Sequence, residues 1–376
     1  MRKVLYLSDV DISDPGGAQS SMKVIMTGLN EKYDFSIITP KIKRREISYD
    51  FNTLELRKFD NLTLAKMNTF SKIRVLKNIH KIIKINNPDI IHVQMPSTMI
   101  IIFILKRLKL ICKNIKIYYT DRGVLDKYGF LTQYIIGKNI KYGYFEKIIC
   151  TTEYNKKLYL KKFINQQKVI VIPNTTGTDF ENKIGDHFIY NENKIRILFA
   201  GRWSIDKNWA LTKEIIEYLY RKKEISRINI VIGYDVNDLS TAKEIKNYEE
   251  SLISVNKNVE INFYYNLKER EIATKYLDND IFILSSSKES FGRTAIEAMA
   301  LNNIVFGTKV DGLKEVIGFD EYLYSDFADF KIKFEKFQEK LIHKEIEKIK
   351  LKFKNRYFET YSVKRNLLGY DGLYTI

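Results

Sequence analysis

Residues 289–297 read Glu-Ser-Phe-Gly-Arg-Thr-Ala-Ile-Glu and place two carboxylates on either side of a glycine. Good helix formers at 294–300 predict a helix that starts just after Gly292, and its first backbone amides have no partner within the helix. Such amides attract phosphate. Because Glu289 precedes the helix and Glu297 lies more than one turn inside it, we expect the two carboxylates to reach different parts of one ligand.

Strand-length apolar runs alternate with helical segments along the chain. The runs nearest to residues 289–297 are 280–284 and 304–307. Ten more predicted strands lie at 4–7, 35–39, 53–56, 90–93, 116–119, 147–150, 168–172, 196–200, 228–232 and 259–263. Predicted helices include 18–29, 153–163, 209–220 and 269–276, a long charged region at 330–353 and a last helix at 360–373. Strands that alternate with helices indicate parallel sheets, so the sequence predicts an α/β fold.

The chain is long enough for two domains with separate cores, since it has 376 residues of which 45% are apolar. A polar stretch at 173–193, which contains Pro173, Gly177 and Gly185, interrupts the alternation of strands and helices. The sequence therefore predicts an N-terminal domain over 1–175 and a C-terminal domain over 176–356, joined by a linker.

Cysteine usage and hydropathy limit the class of protein. Cys112 and Cys150 both lie beside apolar runs, which indicates reduced core residues of a cytoplasmic protein and excludes a cysteine-type metal site. The first apolar run has the length of a strand and does not predict a signal peptide. The longest apolar run, 99–105, is too short to span a bilayer.

The net charge of +17 predicts a surface that attracts polyanions, which include nucleic acid, anionic lipid headgroups and phosphorylated substrates. The lysines are spread along much of the chain without a helix-turn-helix, zinc-finger or RNA-recognition signature, which argues against nucleic acid. Part of the excess of positive charge is explained equally well by a proteome that is generally rich in lysine. In residues 72–84, cations alternate with apolar residues at helical spacing, as in a core-facing helix with a solvated face.

Several short motifs follow one another along the chain in a definite order. In the C-terminal half they are Leu-Phe-Ala-Gly-Arg at 198–202 with Lys207, the strand at 280–284, the stretch 289–297 and the segment 310–317. Weaker ones in the N-terminal half are Gly16-Gly17 and residues 168–174. Together they resemble the retaining glycosyltransferases of the GT-B fold, specifically glycosyltransferase family 4 (glycosyl transferases group 1). The resemblance implies two Rossmann-like domains with parallel sheets that face a central cleft, and a helix at 357–376 that crosses back to the N-terminal domain.

The resemblance also implies which residues bind a nucleotide-diphosphate sugar, with a UDP-sugar as the expected donor. Arg202 and Lys207 would hold the diphosphate, since fixed cations stabilise the charge that builds on it as the sugar bond breaks. Glu289 would face the donor sugar, and Glu297 would accept hydrogen bonds from the ribose. Further donor contacts are expected from Gly16, Gly17, Ser290, Phe291, Gly292, Arg293 and Thr294.

Glu289 is expected to position and stabilise the donor and not to attack it. Two carboxylates beside a sugar also suit a glycosidase, but the predicted phosphate cradle argues against hydrolysis. In the resembled family no protein nucleophile is established; the favoured account is front-face attack by the acceptor hydroxyl, whose proton moves toward the departing phosphate. Taken singly, Arg202 or Lys207 would fit a surface residue of a loop better than a phosphate ligand.

The sequence departs from the family pattern after the strand at 116–119. Many members have a histidine there, whereas this chain has Asp121-Arg122-Gly123. Asp121 is a candidate catalytic residue that would contact the sugar, and Arg122 is a candidate for a phosphate contact. A capping aspartate followed by a solvated arginine is an equally good interpretation. Ser285 and Asp311 replace a proline and a glycine of the family pattern.

We expect neither a metal nor a cofactor. Asp9-Val10-Asp11 imitates the metal-binding Asp-x-Asp of the other glycosyltransferase fold but follows a different strand, and the four histidines are not clustered. His92 is interpreted as a satisfied histidine at a strand end.

The expected acceptor is a hydroxyl of a cell-surface glycan, either lipid-linked at the inner face of the membrane or a teichoic or capsular chain. The basic segments 72–84 and 106–116 motivate this hypothesis, because such segments can rest on anionic lipid and make a cytoplasmic enzyme peripheral to the membrane. Alternatives are a protein acceptor, a non-catalytic partner subunit, and a phosphorylase or epimerase of the same fold. Domain closure about hinges near Pro173 and Tyr357 would exclude water from the site.

Overall fold

The computed structural model describes residues 1–14, 16–44, 47–163, 168–183, 194–254, 259–342 and 345–375. The chain forms two compact units. Unit 1 consists of Met1–Asn174 with Lys364–Ile376, and unit 2 consists of Thr175–Val363. The second part of unit 1 therefore follows unit 2 in the chain.

Unit 1 is built on a seven-stranded parallel sheet. Its strands are β1 (Arg2–Leu7), β2 (Tyr33–Pro40), β3 (Asn52–Leu56), β4 (Ile90–Val93), β5 (Lys116–Asp121), β6 (Lys147–Cys150) and β7 (Val169–Val171). They lie in the order β3-β2-β1-β4-β5-β6-β7. The central strand β4 is buried along its whole length, as expected for a parallel strand that helices cover on both faces.

Helices cover both faces of this sheet. They are α1 (Gly17–Gly28), α2 (Thr69–Asn86), α3 (Pro96–Arg107), α4 (Phe130–Lys141) and α5 (Glu153–Phe163). The apolar sides of α2 to α5 share one core with one face of the sheet, whereas α1 packs on the opposite face.

Unit 2 contains a six-stranded parallel sheet. Its strands are β8 (Ile195–Arg202), β9 (Ile225–Gly233), β10 (Glu260–Tyr265), β11 (Ile281–Leu284), β12 (Ile304–Thr308) and β13 (Leu323–Tyr324), in the order β10-β9-β8-β11-β12-β13. Its helices are α6 (Thr178–Glu181), α7 (Trp209–Leu219), α8 (Leu239–Ile253), α9 (Glu269–Leu277), α10 (Arg293–Ala300), α11 (Leu313–Ile317), α12 (Phe327–Ile342) and α13 (Ile346–Arg356). A π-helical turn at Tyr357–Tyr361 leads to the last helix, α14 (Val363–Thr375).

The predicted α/β alternation is confirmed. All twelve predicted strands are present within three residues of their predicted ends, and the structure adds the two-residue strand β13. The charged region 330–353 is helical, as predicted, and the structure divides it into α12 and α13. The predicted linker contains the short helix α6, and its part at 184–193, with Gly185, lies outside the described residues.

The helix α14 completes the core of unit 1. Tyr370 and Tyr374 are buried against Tyr6 and Tyr118 of the sheet. The Tyr118 hydroxyl also donates to the carbonyl of Leu373 at 3.1 Å. No helix within the described ranges combines the length and hydropathy needed to cross a bilayer.

Candidate active site

The strand order of unit 2 reverses beside β8. The chain runs outward from β8 through β9 and β10 and then places β11 on the other side of β8. In parallel α/β sheets, ligands bind at the carboxyl ends of the strands at such a switch point. A small pocket lies there, lined by Gly201 and Lys207 at the end of β8 and by Ser285 and Ser286 after β11. The candidate site is built around this pocket.

The two predicted phosphate-binding cations lie at the end of β8 and in the next loop. Arg202 ends the strand, is exposed, and forms no ion pair with any described residue. A 3-10 turn at Ile205–Lys207 follows, and Asn208, with a left-handed φ of 50°, caps α7. The Ser287 N–H donates to the carbonyl of Asp206 at 2.8 Å, which ties this loop to the end of β11.

Lys207, which lines the pocket, forms an ion pair with Glu289. The lysine Nζ lies 2.5 Å from Oε2 of Glu289, and each side chain is 16% exposed. A charged hydrogen bond in this partly buried setting orients both side chains. The sequence assigned both residues to the donor site but did not predict their contact.

The loop around Glu289 is held by Asp311 and by a glycine. The Glu289 N–H donates to Oδ2 of Asp311 at 3.2 Å, and Oε1 of Glu289 accepts from the Gly292 N–H at 3.2 Å. Gly292 has a φ of 89°, and a Cβ there would collide with Leu313, so backbone and space both require glycine. Asp311 itself has a φ of 38°, in the left-handed region that the glycine it replaces adopts without strain.

Glu297 lies on the buried side of α10. Its Oε1 is 3.2 Å from Nε of Arg293 one turn earlier, and the hydroxyl of Tyr276 donates to its Oε2 at 3.4 Å. Arg293 also pairs with Glu269, whose Oε1 lies 3.1 Å from Nη2. Burial raises the pKa of Glu297 to about 7, although the charge of Arg293 lowers it. This carboxyl group therefore changes its charge near neutral pH.

The other residues of the loop at 290–294 divide between core and surface. Phe291 is buried, and its ring packs edge-on against Tyr361 with centroids 5.7 Å apart. Ser290, Arg293 and Thr294 are half-buried. The Gly292 N–H, at the start of α10, is engaged by Glu289.

Gly16 and Gly17 lie in unit 1, where Gly17 begins α1. Gly16 has an extended backbone, with a φ of 171°, and a side chain there would meet the end of Gln19. The backbone at Gly16 therefore does not require a glycine, and donor contact by these two residues stays a prediction.

Asp121 lies at the end of β5 and is completely buried. Its Oδ1 accepts from the Tyr128 hydroxyl at 2.5 Å and from the Gly123 N–H at 3.0 Å, and its Oδ2 accepts from the Tyr159 hydroxyl at 2.7 Å. Both oxygens are thus bonded within unit 1. These bonds hold the turn after β5 and do not cap a helix. They indicate a structural role for Asp121, and its expected catalytic sugar contact stays a prediction.

Two neighbouring polar residues are also held within unit 1. Arg122 donates to the side-chain oxygen of Gln94 at 2.6 Å, so it is not the solvated arginine of the capping interpretation. His92 is buried, with Nε2 2.8 Å from the Thr120 hydroxyl and Nδ1 2.6 Å from the Tyr374 hydroxyl. Burial lowers the pKa of His92 well below its usual value, which fits the satisfied histidine expected from the sequence.

The Asp-x-Asp motif has a structural role. Asp9 accepts from the N–H groups of Ser97 and Thr98, at 2.9 and 2.8 Å, and so caps the start of α3. Asp11 accepts from the N–H and hydroxyl of Ser13 at 2.8 and 2.7 Å. In the part of the chain that the structure describes, no group of three or more His, Cys, Asp or Glu side chains is arranged to hold a metal ion.

Two family models match the chain in succession. Residues 15–180 match Glycosyltransferase Family 4, and residues 180–349 match Glycosyl transferases group 1. The second match includes Arg202, Lys207, Glu289 and Glu297. The chain belongs to glycosyltransferase family 4.

A curated relative and solved structures are similar to the chain over most of its length. An uncharacterized 41.2 kDa protein in the cps region of Klebsiella pneumoniae is 26% identical over 303 residues, which is 77% of each chain. A glycosyltransferase from Rickettsia africae superposes with a TM-score of 0.75 at 19% identity and covers 99% of this chain and 97% of its own. Anabaena HepE, solved in complex with UDP and glucose, superposes with a TM-score of 0.71 at 13% identity over 100% of both chains. The GT-B fold of this glycosyltransferase is thereby confirmed.

Sequence reasoning missed several contacts of this candidate site. The ion pair of Arg293 with Glu297 has a local signal, because the two residues are four apart on a predicted helix. Glu269 and Tyr276 of α9 have none, since no local pattern reports that α9 packs against α10.

Proposed function

We propose that this glycosyltransferase moves a sugar from a UDP-sugar to a hydroxyl of a cell-surface glycan, with retention of the anomeric configuration and without a metal ion. The observation that carries this proposal is Arg202 at the end of β8 together with the Lys207–Glu289 ion pair, which joins the loops that follow β8 and β11. The two cations match the two charges of a diphosphate, and the carboxylate suits a sugar hydroxyl. The complex of HepE with UDP and glucose supports uracil as the base.

In the proposed reaction, the bond between the anomeric carbon and the diphosphate oxygen breaks while the acceptor oxygen bonds to that carbon from the same face. The acceptor proton moves to the departing diphosphate. Arg202 is available to the phosphates because no described carboxylate pairs with it. Lys207 is held at the pocket by Glu289 and stabilises the leaving diphosphate as its charge develops.

Glu297 is assigned to the ribose hydroxyls. Arg293 and Tyr276 orient its carboxyl group from two sides, which leaves little rotational freedom to lose when a donor binds. Its raised pKa makes this contact sensitive to pH, since an ionised carboxylate is the stronger acceptor.

The acceptor is proposed to be a surface glycan, carried on a lipid at the inner face of the membrane or built as a teichoic or capsular chain. The relative from a cps region supports such a polysaccharide acceptor. On this proposal the protein is cytoplasmic and peripheral to the membrane.

The test is a thermal-shift screen with UDP-, GDP-, ADP- and CDP-sugars, because a ligand that binds the folded chain alone raises its melting temperature. A UDP-sugar should give the largest shift, and Arg202→Ala should reduce this shift while Arg221→Ala, at an exposed arginine of unit 2, should not. The best donor is then incubated with lipid-linked glycans in the presence of EDTA. Release of UDP and an unchanged anomeric configuration are expected; phosphate consumption or no turnover would contradict the proposal.

A further inference from the structure

Most of the surplus positive charge lies in one segment of unit 1. Residues 61–145 contain 15 Lys and Arg but three Asp and Glu, a surplus of 12 in a chain of net charge +17. The helices α2, α3 and α4 of this segment contain no Asp or Glu. They pack side by side, with α3 between the other two. The lysines are thus concentrated on one side of the folded unit.

The helix α2 presents one exposed stripe. Phe70 and Ile73, near its start, are 76% and 48% exposed. Arg74, Lys77 and Lys81 are exposed and continue the stripe along the helix. The opposite side is buried in the core. A solvated face accounts for the cations but not for an exposed phenylalanine beside them.

The helix α4 repeats this arrangement. Phe130, Leu131 and Tyr134, at its start, are 85%, 64% and 50% exposed, and the rings of Phe130 and Tyr134 stack with centroids 6.2 Å apart. Lys138 lies one turn further along, with Nζ 5.0 Å from the centroid of the Tyr134 ring. Lys141, near the end of the helix, is exposed.

The two apolar ends lie at the same edge of the sheet. In a parallel sheet each connecting helix begins beside the carboxyl end of the preceding strand, and α2 follows β3 as α4 follows β5. Each helix therefore carries apolar side chains at this edge and cations along the rest of its length. We propose that the outer surface of α2, α3 and α4, here called the docking surface, binds an anionic lipid bilayer with Phe70, Phe130 and Leu131 inserted.

A bilayer matches both chemistries of the docking surface. Aromatic and aliphatic side chains enter the interfacial region, while lysines beside them extend their stems toward lipid phosphates. Each cation near an anionic leaflet contributes about 1 kcal/mol. Nucleic acid would match the cations but would leave the aliphatic side chains at two separate helix starts without a partner.

The docking surface rests on the proposed function in one respect, because its role requires that the enzyme act on a lipid-linked acceptor. The carboxyl edge of a parallel sheet is where such folds bind ligands. With Phe70 and Phe130 in the bilayer, this edge of unit 1 would lie close to the headgroups from which a lipid-linked glycan extends.

The test is co-sedimentation of the full chain with vesicles of phosphatidylcholine, with and without phosphatidylglycerol. Binding should require phosphatidylglycerol. Triple charge reversal (Arg74→Glu, Lys77→Glu and Lys81→Glu) should weaken it by at least ~100-fold, since three cations contribute about 1 kcal/mol each. Phe130→Ser with Leu131→Ser should weaken it by roughly 10-fold or more, because apolar burial is lost. The matched control reverses three exposed lysines of unit 2, Lys223, Lys336 and Lys348, and should retain binding.

Each alternative outcome overturns the proposal. Binding that ignores lipid charge, or that the unit 2 control weakens equally, would show non-specific adsorption. Loss of single-stranded RNA binding in the α2 variant, with no vesicle binding by the wild type, would indicate a nucleic-acid surface. The melting-temperature shift with a UDP-sugar, measured on the same variants, separates the two proposals. A retained shift without vesicle binding overturns the docking surface, whereas vesicle binding without any nucleotide-sugar shift overturns the proposed function.

Discussion

The two units share a parallel α/β design, but their switch points differ. In unit 1 the switch point lies between β1 and β4, and Asp9 occupies the first amides of α3 there. In unit 2 it lies between β8 and β11, where a pocket is lined by Lys207. The Asp9 carboxylate leaves these amides of α3 unavailable to phosphate, whereas unit 2 supplies the cations Arg202 and Lys207 beside its switch point. We therefore propose that the diphosphate binds to unit 2.

The polar residues at the strand ends show the same difference. In unit 1, Asp121 is enclosed by three donors and Arg122 is bonded to Gln94. In unit 2, Arg202 is exposed at the end of β8 and has no carboxylate partner among the described residues. Residue type and strand-end position are shared by both units. The difference among these three residues is that the fold supplies partners for Asp121 and Arg122 but no carboxylate for Arg202 among the described residues.

The largest expected effect is on the chemical step in unit 2. Lys207→Ala should lower kcat by about 10²- to 10³-fold, because it removes a fixed cation from the leaving diphosphate. The measurement is UDP release at saturating donor, with circular dichroism to verify folding. Lys213→Ala is the control, since this lysine of α7 is 37% exposed and its ion pair with Glu217 is weak. A fully active Lys207→Ala variant would show that Lys207 does not stabilise the leaving diphosphate, and it would contradict the ligand-binding role proposed for unit 2.

The next effect tests the structural role assigned in unit 1. Asp121→Ala should lower the free energy of unfolding by about 2–4 kcal/mol, because it leaves the buried hydroxyl of Tyr159 and the partly buried hydroxyl of Tyr128 without an acceptor. Chemical denaturation measures this loss, and Asp126→Ala, at an exposed aspartate nearby, should cost less than about 0.5 kcal/mol. Unchanged stability combined with lost turnover would restore the catalytic role of Asp121.

The raised pKa of Glu297 predicts a pH-dependent donor affinity. Between about pH 8 and pH 6 the wild type should lose roughly 10-fold in UDP-sugar affinity, because protonation removes the charged acceptor. Glu297→Gln should bind weakly at both values, with a flat profile. Isothermal titration calorimetry measures the UDP-sugar affinity of the wild type and of the variant. The ligand does not add a pH dependence of its own, because a UDP-sugar has no group that ionises in this range. A wild-type profile as flat as that of the variant would contradict the assignment to the ribose.

Protonation of Glu297, which should weaken donor binding, should stabilise the folded chain. The folded chain holds the Glu297 proton more tightly than the unfolded chain, since folding raises this pKa from 4.5 to about 7. The free energy of unfolding should therefore fall as the pH rises through this window. In Glu297→Gln, the contribution of Glu297 to this fall in the free energy of unfolding with pH should be absent.

The smallest effect concerns Asp311, where an aspartate has a left-handed backbone. Asp311→Gly should change the free energy of unfolding by less than about 1 kcal/mol, because relief of backbone strain offsets the lost hydrogen bond to the Glu289 N–H. Asp311→Val keeps the strain and loses the bond, so it should be clearly less stable in the same denaturation experiment. Equal stability of the two variants would show that φ at this position is unimportant.

The parallel sheets were predictable because buried parallel strands are continuous apolar runs, as in Ile281–Leu284. β13 was missed, because two residues carry no periodicity. Arg202, Lys207, Glu289 and Glu297 were chosen by motif, yet the Lys207–Glu289 contact joins loops that are 82 residues apart. The sequence left the role of Asp121 open for the same reason, since one of its partners, Tyr159, is 38 residues away.

The docking of α14 on unit 1 constrains the order in which the chain folds during synthesis. Tyr370, Leu373 and Tyr374 belong to the same core as Val4 and Tyr6, yet the ribosome adds them after the whole of unit 2. Until α14 emerges, one face of the first sheet lacks its cover and exposes apolar surface. Unit 1 therefore begins to form first but is completed last, and the nascent chain depends on unit 2 folding without delay.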